Sequence, residues 1–250
     1  MALTFIRSIH MRHQTRRVRH NSRRRTLRVL SKTHVTPKML RIAFGGDDLA
    51  DFTSPSADEH IKLYVPGITG AMEARDFTPR RFDPALQQLT IDFALHLSGL
   101  VTEWALTTTI GDDVEVSGPR GSLLIPEDFD RWMLVGEETA LPSIGRRAEG
   151  FAKGTPVTTI VAVCDHAERQ VFDTVADYEG LWVHRSSGEA NNPDPLMNVL
   201  SRVRFPPGDG FVWIAAEAGA ARAAKEHIIQ VLRHPRQWLR APGAVIRGRI

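Results

Sequence analysis

Arg75-Asp76-Phe77-Thr78-Pro79-Arg80-Arg81-Phe82-Asp83 is the stretch around which the chain is organised. Three arginines, two aromatics and a threonine fall within nine residues. In an extended segment alternate side chains face opposite sides, so Arg75 and Phe77 share one face while Thr78 and Arg80 share the other. Pro79 has no N–H to donate and limits ordinary ladder pairing. Such a strand end offers a flat apolar surface, a hydroxyl and guanidinium forks. A flavin dinucleotide needs those groups: a surface for the ring, hydrogen bonds for its polar edge and cations for its pyrophosphate.

Outward from this stretch, residues 23–127 read as short strands separated by turns. Residues 26–44 supply Leu27, Val29, Met39, Leu40, Ile42 and Phe44, with a turn expected around Lys32–Pro37. Gly45-Gly46-Asp47-Asp48 is a strong turn signal. Ile61–Val65 alternates and stops at Pro66-Gly67. Gln88–Leu97 puts Leu89, Ile91, Phe93, Leu95 and Leu97 on one face. Val114–Val116 ends at Gly118-Pro119-Arg120-Gly121. This grammar predicts a small antiparallel barrel.

After Pro126 the pattern changes to alternating strands and helices, predicting a mostly parallel sheet over residues 128–250. Strands are expected at Trp132–Val135, Val157–Cys164, Gly180–Arg185, Phe211–Ala215 and Val245-Ile246. Helices are expected at Ser143–Phe151, where Pro142 fits a first turn, from near His166, at Pro195–Val203, and at the alanine-rich Gly219–Leu232.

Charge is uneven. Twelve of the 32 Lys/Arg lie in residues 1–46, which hold no Asp or Glu; the remainder carries 20 basic against 29 acidic groups, a net of −9. Residues 1–22 read as a basic, partly disordered extension without the apolar core of a secretory signal. An arm for nucleic acid is the rival reading of the arginines, but no aromatic interleaves Arg12–Arg25 to stack a base. A third use is to guide an anionic substrate. No apolar run approaches the roughly 20 residues of a membrane span. The single Cys164 excludes an intramolecular disulfide and a cysteine-rich metal site, and favours a reducing, cytoplasmic setting. His-Glu-x-x-His, Gly-x-Ser-x-Gly and P-loop patterns are absent.

Further motifs follow in order: Asp92-Phe93-Ala94-Leu95-His96, then Gly99-Leu100-Val101-Thr102-Glu103-Trp104; Gly136-Glu137-Glu138-Thr139-Ala140-Leu141-Pro142; Trp182-Val183-His184-Arg185; and Trp213-Ile214-Ala215-Ala216-Glu217-Ala218-Gly219-Ala220-Ala221-Arg222. Taken alone, His96 fits a half-buried strand histidine, Trp104 a core residue, and Glu137 and Glu138 an acidic helix start. Together with Arg-x-Phe-Thr-x-Arg, the set resembles the siderophore-interacting proteins, a ferric-siderophore reductase branch of the ferredoxin–NADP reductase superfamily. The resemblance spans roughly residues 23–247.

The resemblance implies a Greek-key barrel holding FAD over residues 23–127, followed by a Rossmann-like NAD(P)H domain over 128–250. It implies flavin contacts from Arg75, Phe77, Thr78, Arg80, Asp92, His96, Gly99, Thr102 and Trp104. Nucleotide contacts would come from Gly136, Thr139, Ala140, Arg185, Glu217, Gly219 and Arg222. Arg169, Arg185 and Arg222 are candidates for the 2′-phosphate that distinguishes NADPH from NADH. The implied reaction carries electrons from NAD(P)H through FAD to the Fe(III) of a siderophore, with no resident metal and no catalytic acid or base. Arg247 would attract the anionic chelate, on charge alone. Reduced ferredoxin is the alternative donor, and a monomer is expected. Two departures stand out: Phe77 occupies a position where tyrosine is usual, and residues 243–250 lack the family's frequent Gly-Tyr-Trp.

Overall fold

The computed structural model describes residues 12–67, 70–95, 99–189, 192–205 and 207–242. The strands are β1 (Arg16–Arg19), β2 (Arg24–Thr36), β3 (Met39–Gly45), β4 (Ile61–Pro66), β5 (Met72–Phe77), β6 (Pro79–Asp83), β7 (Gln88–Ala94), β8 (Asp113–Ser117), β9 (Gly121–Leu124), β10 (Arg131–Glu137), β11 (Pro156–Val163), β12 (Asp177–His184), β13 (Gly210–Ala215) and β14 (Leu239–Arg240). The α-helices are α1 (Leu100–Thr107), α2 (Leu141–Gly150), α3 (Asp194–Leu200) and α4 (Ala218–Glu226).

The first half is a seven-stranded antiparallel sheet in the order β5-β4-β8-β2-β3-β7-β6. Strands β5 and β6 sit at opposite ends of that order, yet Thr78 alone separates them in sequence. One residue spans a few ångströms, so the two edges must meet and the sheet curls into a half-barrel. The sequence reads residues 75–82 as one extended run; the structure divides it at Thr78, with a register shift between Pro79 and Arg81. Alternation fills the interior: Leu27, Val29, Ile42, Phe44, Ile61, Leu63, Leu89, Ile91 and Phe93 point inward with almost no exposure. The β2–β3 turn falls at Pro37-Lys38, later and tighter than Lys32–Pro37.

The second half is a parallel sheet in the order β12-β11-β10-β13-β14. Its middle strands are buried on both faces, as near-continuous apolar runs predict. Ile144, Ala148, Phe151 and Phe172 pack one face, and Leu196, Leu200, Ala224 and Ile228 the other. Full burial of a side chain such as Ile144 contributes about 1.5–3 kcal/mol. The chain goes from β10 to β11 and β12 on one side, then returns to β13 on the other. The gap between the ends of β10 and β13 is therefore the topological switch point.

The helix expected from near His166 is cut to one turn, and the alanine-rich helix keeps its length but changes its winding. His166–Glu168 is a single 3-10 turn, because Glu168 turns inward to the barrel, where it accepts from Thr36 Oγ1 (2.6 Å) and Lys38 N (3.0 Å). The alanine-rich helix is regular over Ala218–Glu226 and ends in a π-turn at His227–Val231. The expected strand at Val245-Ile246 lies outside the described residues, and the sheet ends with β14.

The described part of the basic front, residues 12–22, holds a strand and a buried histidine where the composition predicts a solvated lead-in. Strand β1 pairs with β9. His13 is buried: its ring stacks on Phe129 at 4.0 Å, Nδ1 lies 2.7 Å from Asp128 and Nε2 lies 3.1 Å from Asp209. The segment thus straps the barrel to the start of the parallel sheet. Among the described residues no helix is long and apolar enough to cross a membrane.

Candidate functional site

The barrel side of the site is an aromatic wall. Phe77, half-buried at the end of β5, contacts Phe93 (centroids 4.8 Å), which contacts Trp104 of α1 (5.9 Å). Arg75 is exposed beside it and is bound to Glu73 (2.7 Å). Helix α1 begins at Gly99, whose φ of +149° suits glycine, and no side chain caps its first turn. A helix start of this kind directs orphan N–H groups outward, the arrangement that holds a phosphate. Thr102 stands in that turn, with Oγ1 3.7 Å from where a Cβ on Gly99 would lie. His96 falls outside the described residues.

Three predicted flavin ligands have other partners. Asp92 is buried, and both its carboxylate oxygens accept from Arg41 (2.7 and 2.8 Å). Arg80 is also buried and forms a forked ion pair with Glu149 of α2, with Asp92 3.6 Å from its Nε. Thr78 is buried, with its hydroxyl 3.0 Å from that of Ser143. Thr78 and Arg80 therefore fasten the closing edge of the barrel to α2. Arg146 of α2 extends the seam by donating to the Pro79 carbonyl (2.8 Å) and to Ser54 (2.9 Å). Asp58 adds a further tie: it accepts from Ser56 (2.7 Å) and pairs with Arg240, with Arg147 3.7 Å away.

Across the seam, the carboxyl ends of β10 and β13 bring Gly136 opposite Ala215. A Cβ on Gly136 would lie 2.7 Å from Ala140 Cβ and 2.9 Å from the Ala215 carbonyl, so only glycine allows this close approach of turn and sheet. Thr139 follows on the same turn and Ala140 is buried in the α2 core. Glu217 caps α4, accepting from Gly219 N at 2.7 Å. Gly219 and Arg222 are exposed on that helix.

Two neighbouring acids, Glu137 and Glu138, would repel a pyrophosphate, and the structure shows how this is offset. Arg185 is buried and its Nη2 donates to Glu137 (2.8 Å) and Glu138 (3.1 Å). Arg185 is thus a clamp for the turn rather than an open phosphate ligand. Arg169 remains exposed and donates to His184 Nε2 at 3.1 Å. Sequence reasoning missed Ser143, Arg146 and Glu149, whose helix reads as an ordinary amphipathic segment, and it missed the pairing of His166 with His184. Arg247 lies outside the described residues. Among the described residues no group of His, Cys, Asp or Glu is arranged to hold a metal.

The residues present fit a flavin dinucleotide: a half-exposed aromatic face at Phe77, an exposed guanidinium at Arg75 and an uncapped helix start at Gly99–Thr102.

A family model described as siderophore-interacting FAD-binding domain matches residues 28–73 and 69–123, and one described as siderophore-interacting protein matches 129–243. The NADPH-dependent ferric-chelate reductase of Escherichia coli is 31% identical over 222 residues, covering 80% of this chain and 85% of that protein. The ferric vibriobactin reductase of Vibrio cholerae is 27% identical and covers 74% of each. The crystal structure of a siderophore utilization protein from T. fusca superposes with a TM-score of 0.88 at 31% identity, covering 95% of this chain and 98% of that one.

Proposed function

The chain belongs to the siderophore-interacting protein family, and from that premise we propose that it is an FAD-dependent ferric-siderophore reductase using NADPH. The observation that carries the reading is the juxtaposition of two half-sites. The Phe77 wall and the Gly99 helix start belong to the barrel half and the turn Gly136–Ala140 to the parallel-sheet half, and Arg80–Glu149 and Thr78–Ser143 lock the two halves together.

Bound FAD supplies the chemistry that converts the hydride of a nicotinamide into single electrons for iron. The chain's own residues bind and orient. Phe77 offers the flavin ring a flat apolar face, with no phenolic hydroxyl to add a hydrogen bond. Arg75 and the N–H groups at Gly99–Thr102 meet its anionic part. Gly136 lets the nicotinamide dinucleotide approach the backbone at the switch point, and Glu217 and Gly219 form its other wall. Arg185 neutralises Glu137 and Glu138 so that the turn tolerates a pyrophosphate. The substrate is Fe(III) held by an oxygen-rich chelator; Fe(II) is held less tightly, so one-electron reduction releases it. The reaction suits the cytoplasm, where NADPH is available, and a monomer carries both half-sites. Arg247 would draw in an anionic chelate.

The test is steady-state Fe(II) capture by a coloured ferrous chelator with the FAD-loaded protein and a ferric siderophore. NADPH-dependent Fe(II) release supports the reading. Release that requires reduced ferredoxin, with neither NADPH nor NADH active, replaces the donor. No release with any donor rejects the function.

A further inference from the structure

Strand β13 runs from one edge of the parallel sheet to the other. Its carboxyl end, at Ala215, lies opposite Gly136. Phe211, near its amino end, is four residues back, roughly 13 Å at about 3.3 Å per residue. Around Phe211 opens a cavity of about 350 Å³, walled by α4 and its π-turn, by β14 with the turn before it, and by the β1–β9 ribbon. Among the described residues, none from the Gly136 turn or the Phe77 wall lines it.

The lining divides by chemistry. Buried Phe211 and half-buried Ile229 and Leu239 form an apolar floor. Three cations converge on that floor from separate elements: Lys225 from the last turn of α4, Arg236 from the 3-10 turn Arg236–Trp238, and Arg240 from β14. No carboxylate stands among the lining residues. Lys225 and Arg236 are exposed and make no hydrogen bond or ion pair among the described residues. A cation in a helix's last turn complements the helix dipole, which accounts for Lys225. It does not account for Arg236 and Arg240, which reach the same cavity from beyond the helix. Arg240 is shared: its Nε is bound to Asp58 of the barrel half, while its Nη nitrogens make no hydrogen bond among the described residues.

We propose that this cavity is a second ligand site, one that takes a small organic carboxylate with an apolar body. The three cations receive the carboxylate, and Phe211, Ile229 and Leu239 receive the body. Grouped like charges repel, and a bound anion relieves that repulsion. The volume is at the small end of ligand sites, which run from about 300 to 1,000 Å³, so it suits a fused ring or a short acyl chain. The ligand and Asp58 compete for Arg240, which links this site to the seam between the two halves. The site goes beyond the reductase reading and does not depend on it.

The experiment is calorimetric titration of the FAD-loaded full chain with naphthalene-2-carboxylate, with octanoate and with the neutral naphthalene-2-carboxamide. One equivalent of naphthalene-2-carboxylate or octanoate is expected to bind at least about tenfold more tightly than the carboxamide, the scale of one charged hydrogen bond. The tighter of the two carboxylates tells a ring ligand from an acyl one, and either supports the site. Lys225→Gln and Arg236→Gln are each expected to weaken the carboxylate about threefold to fivefold, the scale of a partly exposed ion pair. Neither should change the carboxamide affinity or the urea midpoint, since both side chains are exposed and unpartnered. Asp58→Asn, which removes the competitor for Arg240, is expected to tighten the carboxylate. Equal affinity for carboxylate and carboxamide, or a carboxylate affinity that neither cation variant changes, overturns the proposal. Binding is read without NADPH, so its failure leaves the reductase reading standing, and a flavin that NADPH cannot reduce leaves this site standing.

Discussion

Arg80 and Glu149 form a forked ion pair that joins the last strand edge of the half-barrel to the first helix of the parallel-sheet half, with Arg80 only 5% exposed. The pair explains why an arginine in the Arg-x-Phe-Thr-x-Arg stretch is inside the protein. It ties the strand that follows Phe77 by two residues to the helix whose first turn holds Pro142, six residues after Gly136.

Replacing Arg80 with Ala leaves Glu149 and Asp92 without this cation in a poorly hydrated seam. The expected loss is about 3–5 kcal/mol of unfolding free energy, the range for breaking one side of a buried pair, read by urea denaturation without added flavin. An unchanged midpoint together with weakened FAD binding would instead make Arg80 a cofactor ligand.

Gly136→Ala pushes a methyl group against the Ala215 carbonyl, which cannot rotate away. It is expected to destabilise the protein by about 1–3 kcal/mol. It should slow flavin reduction by NADPH much more than reduction by a small chemical reductant. Equal slowing of both would contradict a nucleotide role for the turn.

His13→Ala should cost about 2 kcal/mol, since it removes a buried ring and leaves Asp128 and Asp209 facing a cavity. Thermal unfolding checks this. A nucleic-acid arm predicts no change in stability, and a salt-sensitive affinity for nucleic acid in its place.

Acid should loosen the seam through Asp58. Burial pushes its carboxyl up, but the Ser56 hydroxyl and the Arg240 and Arg147 guanidiniums outweigh that and hold it below the ordinary range. A depressed carboxylate contributes stability that is complete above its unfolded value of about 3.9 and is lost as pH falls through the folded value. The gap in urea midpoint between the wild type and Asp58→Asn should be constant from pH 7 to about 5 and shrink below about 4. A gap that widens in acid would contradict the assignment.

Much of the architecture is legible because it rests on local pattern. Leu89, Ile91 and Phe93 alternate, Val157–Val163 is apolar but for Thr158 and Thr159, and both motifs survive as strands. The misreadings arise where distant partners decide. Alternation runs unbroken through Phe77 and Arg80, so nothing local marks Thr78 as the point where the chain passes between opposite sheet edges. His13 stands in a run of solvated arginines, and its partners lie 115 and 196 residues away. The acids of the Gly136 turn raise an electrostatic problem that the sequence exposes but cannot answer, because Arg185 arrives 47 residues after Glu138, from just past β12, two strands away in the sheet.

Phe77→Ala should weaken FAD binding by roughly twofold to tenfold, the equivalent of an aromatic contact worth about 0.5–1.5 kcal/mol, as followed by flavin fluorescence. Phe77→Tyr should bind at least as tightly as the wild type. An unaltered affinity in the alanine variant would place the ring elsewhere.

The most direct measurement is an anaerobic visible spectrum of the FAD-loaded protein in three steps: alone, after one equivalent of NADPH, and after a ferric siderophore. The account predicts an oxidised flavin band that bleaches with NADPH and returns with the ferric chelate as Fe(II) accumulates. A protein that takes up no FAD, or a bleached flavin that the ferric chelate leaves bleached, would contradict it.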